Sequence, residues 1–382
     1  MSSRRRVFYL SGTRADFGLM AGTLRQIAAH PGLSLQLIVT GMHLSAAYGM
    51  TVREIEAQQL PIIARIPTEV NERSPTAMSH AIGRLIIELA VLFERERPDL
   101  LLVLGDRGEM LAAAVAALHI GVPVVHLHGG ERSGTIDESV RHAITKLSHW
   151  HFVATEESRE RVIRLGERPE HVWVTGAPSL DDLEPVRQSS RAEALTALGL
   201  SAQSRFAVVL FHPVVQERHD AYEQTRALAR AVDRALIERG VEVIWLDPNA
   251  DAGSADILKA ARERPDRAIR FLPHLPRPTF LLALRHCELL VGNSSAGIIE
   301  SASLGTPVVN IGTRQRYRER NLNTRDCVGD AESIEAAIVQ SIRGGRFPES
   351  NRYGDGASGA RIVELLATQP IAADLLDKVN AY

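Results

Sequence analysis

Only two cysteines, Cys287 and Cys327, occur in 382 residues. That scarcity excludes a disulfide framework and a cysteine metal site, and makes a reducing cytoplasm the expected compartment. Long apolar runs are missing as well. No stretch approaches the ~20 apolar residues of a membrane span, and the short run in MSSRRRVFYLSG fits a first strand better than a signal peptide. Neither sign of charge is in excess: 44 Lys and Arg stand against 46 Asp and Glu, a formal net charge of −2. No overall field therefore favours nucleic acid or an anionic membrane. Two cofactor signatures are absent. SGTRADFG, after the first strand, lacks the G-x-G-x-x-G spacing of a dinucleotide turn, and no GKS or GKT marks a P-loop. No cofactor is expected. Repeats, heptads and low-complexity tracts are also lacking.

What is present is ordinary globular material, 45 % hydrophobic and 24 % charged, with length for two domains of roughly 180 residues each. Short apolar runs alternate with longer amphipathic stretches. VFYLSG, LQLIVTG, LLLVLGD, VPVVHLHG, WHFVAT and HVWVTG read as strands of a first half. FAVVLFHP, VEVIWLDPN, AIRFLP, ELLVGNSS and TPVVNIG read as strands of a second. Near-continuous apolar strands alternating with helices mean parallel sheets covered on both faces. The expected class is α/β, with two doubly wound domains. The polar, proline-bearing LEPVRQSS places the seam between Asp181 and Ser204. The expected domains are 1–185 and 186–382, with the last helix packing back on the first.

Ligands of such folds sit at the carboxyl ends of strands, and the unusual residues cluster there. HLHGGERSGTIDESVRHAITKLSH, residues 126–149, follows one apolar strand. Thr135 and Glu138 fit a capping box, before a stripe of Val140, Ala143, Ile144 and Leu147. Gly129, Gly130 and Gly134 permit close backbone approach. His126 and His128 share a strand face, but no third ligand stands at a zinc spacing, so no metal is expected. Glu131 and Asp137 suit acid–base work, because two carboxylates in one loop can take different pKa values. Asp106, in GDRGE one strand over, either caps the next helix or adds a third carboxylate. In VGNSSAGIIE, residues 291–300, Asn293, Ser294 and Ser295 open a helix as an anion site, and Glu300 can grip a ribose diol. His212 adds a possible cation, and Arg14 a bidentate phosphate partner from the first domain. Arg314 belongs to the basic run GTRQRYRER.

Taken together, GTRADFG, TGMHLSAAYG, GDRGE, the 126–149 stretch, VTGAPSLDDL, HPVVQE, PNADAG, GNSSAGIIE and NIGTRQRYRERN resemble the hydrolysing UDP-N-acetylglucosamine 2-epimerases. Non-hydrolysing relatives carry H-V-E-A-G-x-R-T where this chain has HLHGGERSG. The resemblance implies two Rossmann-like domains facing across a cleft, the GT-B arrangement, with UDP held mainly by the second. It implies conversion of UDP-N-acetylglucosamine and water to N-acetylmannosamine and UDP through a 2-acetamidoglucal, for sialic-type acids. Asp106 and Asp137 become acid–base candidates and His43 lies near the sugar. His212, Ser294, Ser295, Arg14 and Arg314 would hold the diphosphate, Glu300 the ribose and Phe280 the uracil, with Asn249 lining the cleft. His128 stands where some members have an acid–base glutamate, so either His128 or Glu131 takes that role. The change also admits another sugar, UDP-2,4-diacetamido-2,4,6-trideoxyglucose, on a route to legionaminic acid. Two other classes stay open: a GT-B glycosyltransferase, and a sugar-nucleotide sensor without turnover. The family's habit is a homodimer or higher homo-oligomer.

Overall fold

The computed structural model describes residues 4–68, 75–134, 136–249, 251–263 and 267–382. It divides into two compact units. The first comprises residues 1–131, 137–181 and 353–382; the second comprises 132–136 and 182–352. Residues 353–382, which sequence order puts with the second half, thus belong to the first unit. Ile362, Leu366 and Leu375 explain why: they are buried in the first unit's core beside Tyr9, Leu24 and Leu35.

The first sheet has seven strands: β1 (Arg5–Ser11), β2 (Leu33–Thr40), β3 (Ile62–Ile66), β4 (Leu100–Leu104), β5 (Val124–Leu127), β6 (Trp150–Val153) and β7 (Val172–Val174). Their order is β3-β2-β1-β4-β5-β6-β7, and every neighbouring pair is parallel. Alternate side chains feed two cores. Val7 and Tyr9 join one, Phe8 and Leu10 the other. Strands buried on both faces cannot alternate polar with apolar, which is why LLLVL is uninterrupted.

The second sheet has β8 (Arg205–Leu210), β9 (Val241–Leu246), β10 (Ile269–Leu272), β11 (Leu290–Gly292), β12 (Val308–Ile311) and β13 (Thr324–Cys327). Its order is β10-β9-β8-β11-β12-β13, all parallel. In each sheet the winding reverses beside the first strand, between β1 and β4 and between β8 and β11. Those are the points where chain-end loops diverge and leave a crevice.

One expectation is corrected. By length and composition the helix Thr76–Glu96 does qualify as a span, with a mean hydropathy of 1.4. Gly83, Arg84 and Glu88 interrupt its apolar run without lowering the mean enough. Leu85, Leu89, Leu92 and Phe93 bury one face of it in the first unit's core. The opposite face leaves Ile87 65 % and Val91 61 % exposed.

Candidate active site

In the first unit the site starts where β1 meets the helix Arg14–Ala29. Thr13 caps that helix and Asp16 answers it, a complete capping box. The Asp16 carboxylate also accepts from the Gly12 N–H (3.1 Å), the Thr13 N–H (2.7 Å) and the Ser11 hydroxyl. Ser11 Oγ lies 2.9 Å from His43 Nε2, and His43 Nδ1 lies 2.8 Å from Thr51 Oγ1. With Ser11 donating to the Asp16 carboxyl, whose pKa burial raises, Nε2–H donates to Ser11 and Thr51 donates to Nδ1. His43 is therefore fully buried with both ring nitrogens engaged. Burial holds it below its usual pKa, against the pull of Asp16. His43, expected near the sugar, supports the loop and offers no ring nitrogen to a ligand in this arrangement. Arg14, expected on phosphate, pairs with Glu54 at 2.8 Å. Its Nη1 is buried with no hydrogen-bond partner among the described residues.

One strand over, Asp106 follows β4. Arg141 Nη2 donates to its carboxylate, and Arg141 Nη1 donates to the Glu131 carbonyl at 2.8 Å. The Arg141 side chain is 1 % exposed and that of Asp106 is 23 %. A buried guanidinium fork thus ties the loop after β4 to the loop after β5. His126 adds a second tie. Its Nε2 lies 2.7 Å from the Gly105 carbonyl, and its Nδ1 3.1 Å from Thr145 Oγ1. A carbonyl only accepts, so Nε2 carries the proton and Nδ1 accepts from Thr145. Burial lowers the His126 pKa to about 3, so the ring is neutral. The shared strand face expected for His126 and His128 is lost one residue later. His128 turns to φ +62, where L residues are strained.

That turn brings His128 Nδ1 onto Glu131 Oε1. Gly130 permits it: at φ +75, a Cβ there would sit 2.3 Å from the Ser158 carbonyl. His128 and Glu131, offered as alternatives for one role, are hydrogen-bonded to each other. A buried carboxylate accepts from Nδ1–H, the relation of an orienting group to a base. Asp137 stands in the first turn of the helix Ile136–Leu147, half-buried, and Glu138 pairs with His142 at 3.5 Å. The expected capping box needs Thr135, which lies outside the described residues. The expected stripe holds at three of its four positions: Ile144 is buried in the core, with Val140 and Leu147 packed against it. Ala143 is exposed instead, and Arg141, Thr145 and Ser148 are buried beside the stripe. Among the described residues no three His, Cys, Asp or Glu converge as metal ligands.

In the second unit Asn293, after β11, brackets His212, after β8. Asn293 Oδ1 accepts the His212 N–H (2.7 Å) and its Nδ2 donates to the His212 carbonyl (2.8 Å). Gly292 makes this possible: at φ +142, a Cβ would meet the Leu210 carbonyl at 2.0 Å. The Asn249 N–H donates to His212 Nδ1 at 3.0 Å. Nδ1 therefore accepts and Nε2 carries hydrogen. Burial, then Arg314, push the His212 pKa well down. The cation expected at His212 is a neutral donor instead. Arg314 and Gln315 both donate to the Asn293 carbonyl, at 3.1 and 3.0 Å. Ser294 caps the helix Ser295–Ile299, accepting from the Ala296 N–H at 3.3 Å. That helix has five residues, so a long-helix dipole adds little; anion attraction rests on single N–H and hydroxyl groups. Glu300 is 3 % exposed and pairs with Arg277 at 2.7 Å. Phe280 lies half-buried in the same helix as Arg277, Arg277–His286.

Sequence reasoning passed over Arg141 and the tautomers, and placed Asp16 at a strand end without giving it a role. Arg141 had a signal: it stands four residues after Asp137 and three before Ile144, on the inward face. The neutral imidazoles carry a pH consequence. His126 (about 3) and His149 (about 4), with His43, His151 and His212, are all held below their usual range by burial. Unfolded, each takes a proton near pH ~6.5. Below that pH the unfolded chain binds more protons, so stability falls as pH falls, down to the folded values. Each such histidine contributes up to ~1.4 kcal/mol per pH unit in that window. Urea midpoints should drop steeply between pH 7 and pH 5; a flat profile would contradict neutral burial.

The comparisons with known proteins agree with each other. The family model for UDP-N-acetylglucosamine 2-epimerase matches residues 25–367. The chain is 42 % identical over 379 residues to the UDP-N,N'-diacetylbacillosamine 2-epimerase (hydrolyzing) of Legionella pneumophila, covering 99 % of this chain and 100 % of that one. It is 34 % identical over 354 residues to the UDP-N-acetylglucosamine 2-epimerase of Neisseria meningitidis, covering 92 % and 91 %. The fold matches the crystal structure of the UDP-GlcNAc 2-epimerase from Neisseria meningitidis bound to UDP-GlcNAc. There the TM-score is 0.78 at 18 % identity, over 94 % of this chain and 99 % of that one.

Proposed function

The chain belongs to the UDP-N-acetylglucosamine 2-epimerase family, and on that premise we propose that it is a hydrolysing 2-epimerase. The observation that carries the reading is the pairing of Asp106 with Arg141 and of His128 with Glu131, with Asp137 one helical turn before Arg141. It supplies positioned carboxylates and an oriented imidazole where a sugar needs a proton removed and another delivered. A base from this set takes the proton on carbon 2. The electron pair forms the C1–C2 double bond, and the bond from carbon 1 to the UDP oxygen breaks toward UDP. Water then adds its hydroxyl to carbon 1, while a proton reaches carbon 2 from the opposite face. Free sugar and UDP leave. The second unit's His212 Nε2–H, Ser294, Ser295 and Arg314 are assigned to the diphosphate, Glu300 to the ribose and Phe280 to the base.

We take UDP-N,N'-diacetylbacillosamine, the 2,4-diacetamido-2,4,6-trideoxy sugar, as substrate ahead of UDP-N-acetylglucosamine. The support is the full-length likeness to the Legionella enzyme of that name. The product then serves a nonulosonic acid route in the cytoplasm. Self-association is part of the reading, and the exposed Ile87 and Val91 face suits a second copy; the mass in solution decides this.

The test incubates the protein with each UDP-sugar in heavy water, without acceptor. One UDP should appear per free sugar, with deuterium at carbon 2. The trideoxy substrate should lead in kcat/KM by about ten-fold or more, about 1.4 kcal/mol of discrimination. Hydrogen retained at carbon 2 would sink the elimination course. No turnover without an acceptor would favour a glycosyltransferase or a sensor.

A further inference from the structure

The first unit holds a charged hub that the reaction above does not use. Glu167 is 3 % exposed. Its carboxylate receives Lys146 Nζ (2.7 Å), His151 Nε2 (2.9 Å) and Lys378 Nζ (2.6 Å). Lys378 comes from the segment that follows the helix Ser358–Thr368. Its ammonium also donates to the carbonyls of Thr145 (3.2 Å), Lys146 (2.8 Å) and Ser148. These are carbonyls at the C-terminal end of the helix Ile136–Leu147. Such carbonyls lack the regular i+4 partner, that of Thr145 accepting the Ser148 N–H at 3.1 Å, and carry the negative end of the helix dipole. Lys378 satisfies both with one cation. Lys146, in the last turn of that helix, reaches the Leu165 carbonyl (3.0 Å) and Asn380 Oδ1 (2.8 Å) as well.

The other end of the same helix carries Asp137, and its middle carries Arg141. At 1.5 Å per residue, Asp137 stands ~12 Å from Thr145 along the axis. A helix of this length moves as a rod, so a shift at one end displaces the other. Misplacing a reacting group by ~1 Å costs up to ~10²-fold in rate. Glu167 is held at a pKa of about 2, despite burial, by His151, Lys146 and Lys378. Glu167 therefore keeps its negative charge throughout the working pH range.

We propose that Lys378 is a positioning residue for the acid–base helix, fixing the register in which Asp137 and Arg141 meet the substrate. The proposal rests on the reading of Asp106 and Asp137 given above. A lysine that merely staples the chain would lower the melting temperature and leave kcat unchanged below it. A positioning lysine lowers kcat without changing UDP affinity.

The experiment compares K378M and K378R with the full-length wild type, well below their melting temperatures. K378M should lose about ten-fold or more in kcat, with KM and UDP affinity within about two-fold. Amide exchange over Asp137–Arg141 should quicken about ten-fold, while β1 and β4 stay protected. K378R, which keeps a cation there, should recover most of kcat. Native kcat and native exchange in K378M overturn the proposal. If K378M does not fold, K146M takes its place, since Lys146 binds the same carboxylate and is 36 % exposed. It should shift kcat and exchange in the same direction by about three-fold, and unchanged values overturn the proposal equally. A wild type that turns over no UDP-sugar defeats the functional reading alone. Exchange in K378M still decides whether Lys378 governs the helix.

Discussion

Asp137→Asn is expected to lower turnover by about 10²-fold or more, while UDP affinity stays within about two-fold. The substitution keeps shape and removes proton exchange. Asp137 stands in the first turn of its helix, where the N-terminal dipole favours a carboxylate. UDP affinity should hold, because the groups assigned to UDP lie in the second unit. Asp106→Asn should lose a similar factor for two reasons: it removes a carboxylate and weakens the charged hydrogen bond from Arg141. The two variants differ in stability. Asp106→Asn should melt lower, since it removes one anion from a 1 % exposed guanidinium. Steady-state kinetics beside calorimetric UDP titration separates these effects. Near-native turnover in both variants would remove the carboxylates from the chemistry, whatever the family.

Much of this fold is written locally. β1, β4, β5, β8 and β9 are legible because burial on both faces demands unbroken apolar runs. β3 and β13 are not. IIARI and TRDC are edge strands, and an edge tolerates an arginine or an aspartate that a central strand would exclude. The positions of Asp106, Glu131, His128 and Asn293 at strand ends follow from the winding. Their partners do not follow, because a partner is chosen by the fold and not by spacing. Lys378 meets Glu167 from a distant segment, with no local pattern to announce it. His212 shows the same limit in charge. The sequence offers an imidazole, but the Asn249 N–H and burial decide that it is a neutral donor.

Arg141 lay in the open within SVRHAITKL and yet holds the site together, so its loss should have the largest combined effect. Arg141→Met keeps much of the buried stem and deletes the fork. It removes the cation from Asp106 and the donor from the Glu131 carbonyl. Breaking a buried ion pair by deleting one partner costs about 3–5 kcal/mol. Asp106 is 23 % exposed and water reaches it, so about 2–3 kcal/mol is expected here. That is a melting decrease of roughly 4–12 °C for a unit of this size. Turnover should fall by about 10²-fold or more even where the variant is fully folded, because both loops lose their common anchor. Arg141→Lys should be intermediate, since one ammonium cannot reproduce a planar fork to two acceptors. Combining Arg141→Met with Asp106→Asn should cost little beyond the worse single variant, as groups acting as a unit are non-additive. Native turnover and native melting in Arg141→Met would show that Asp106 is positioned by other contacts, and that the fork is incidental to the chemistry.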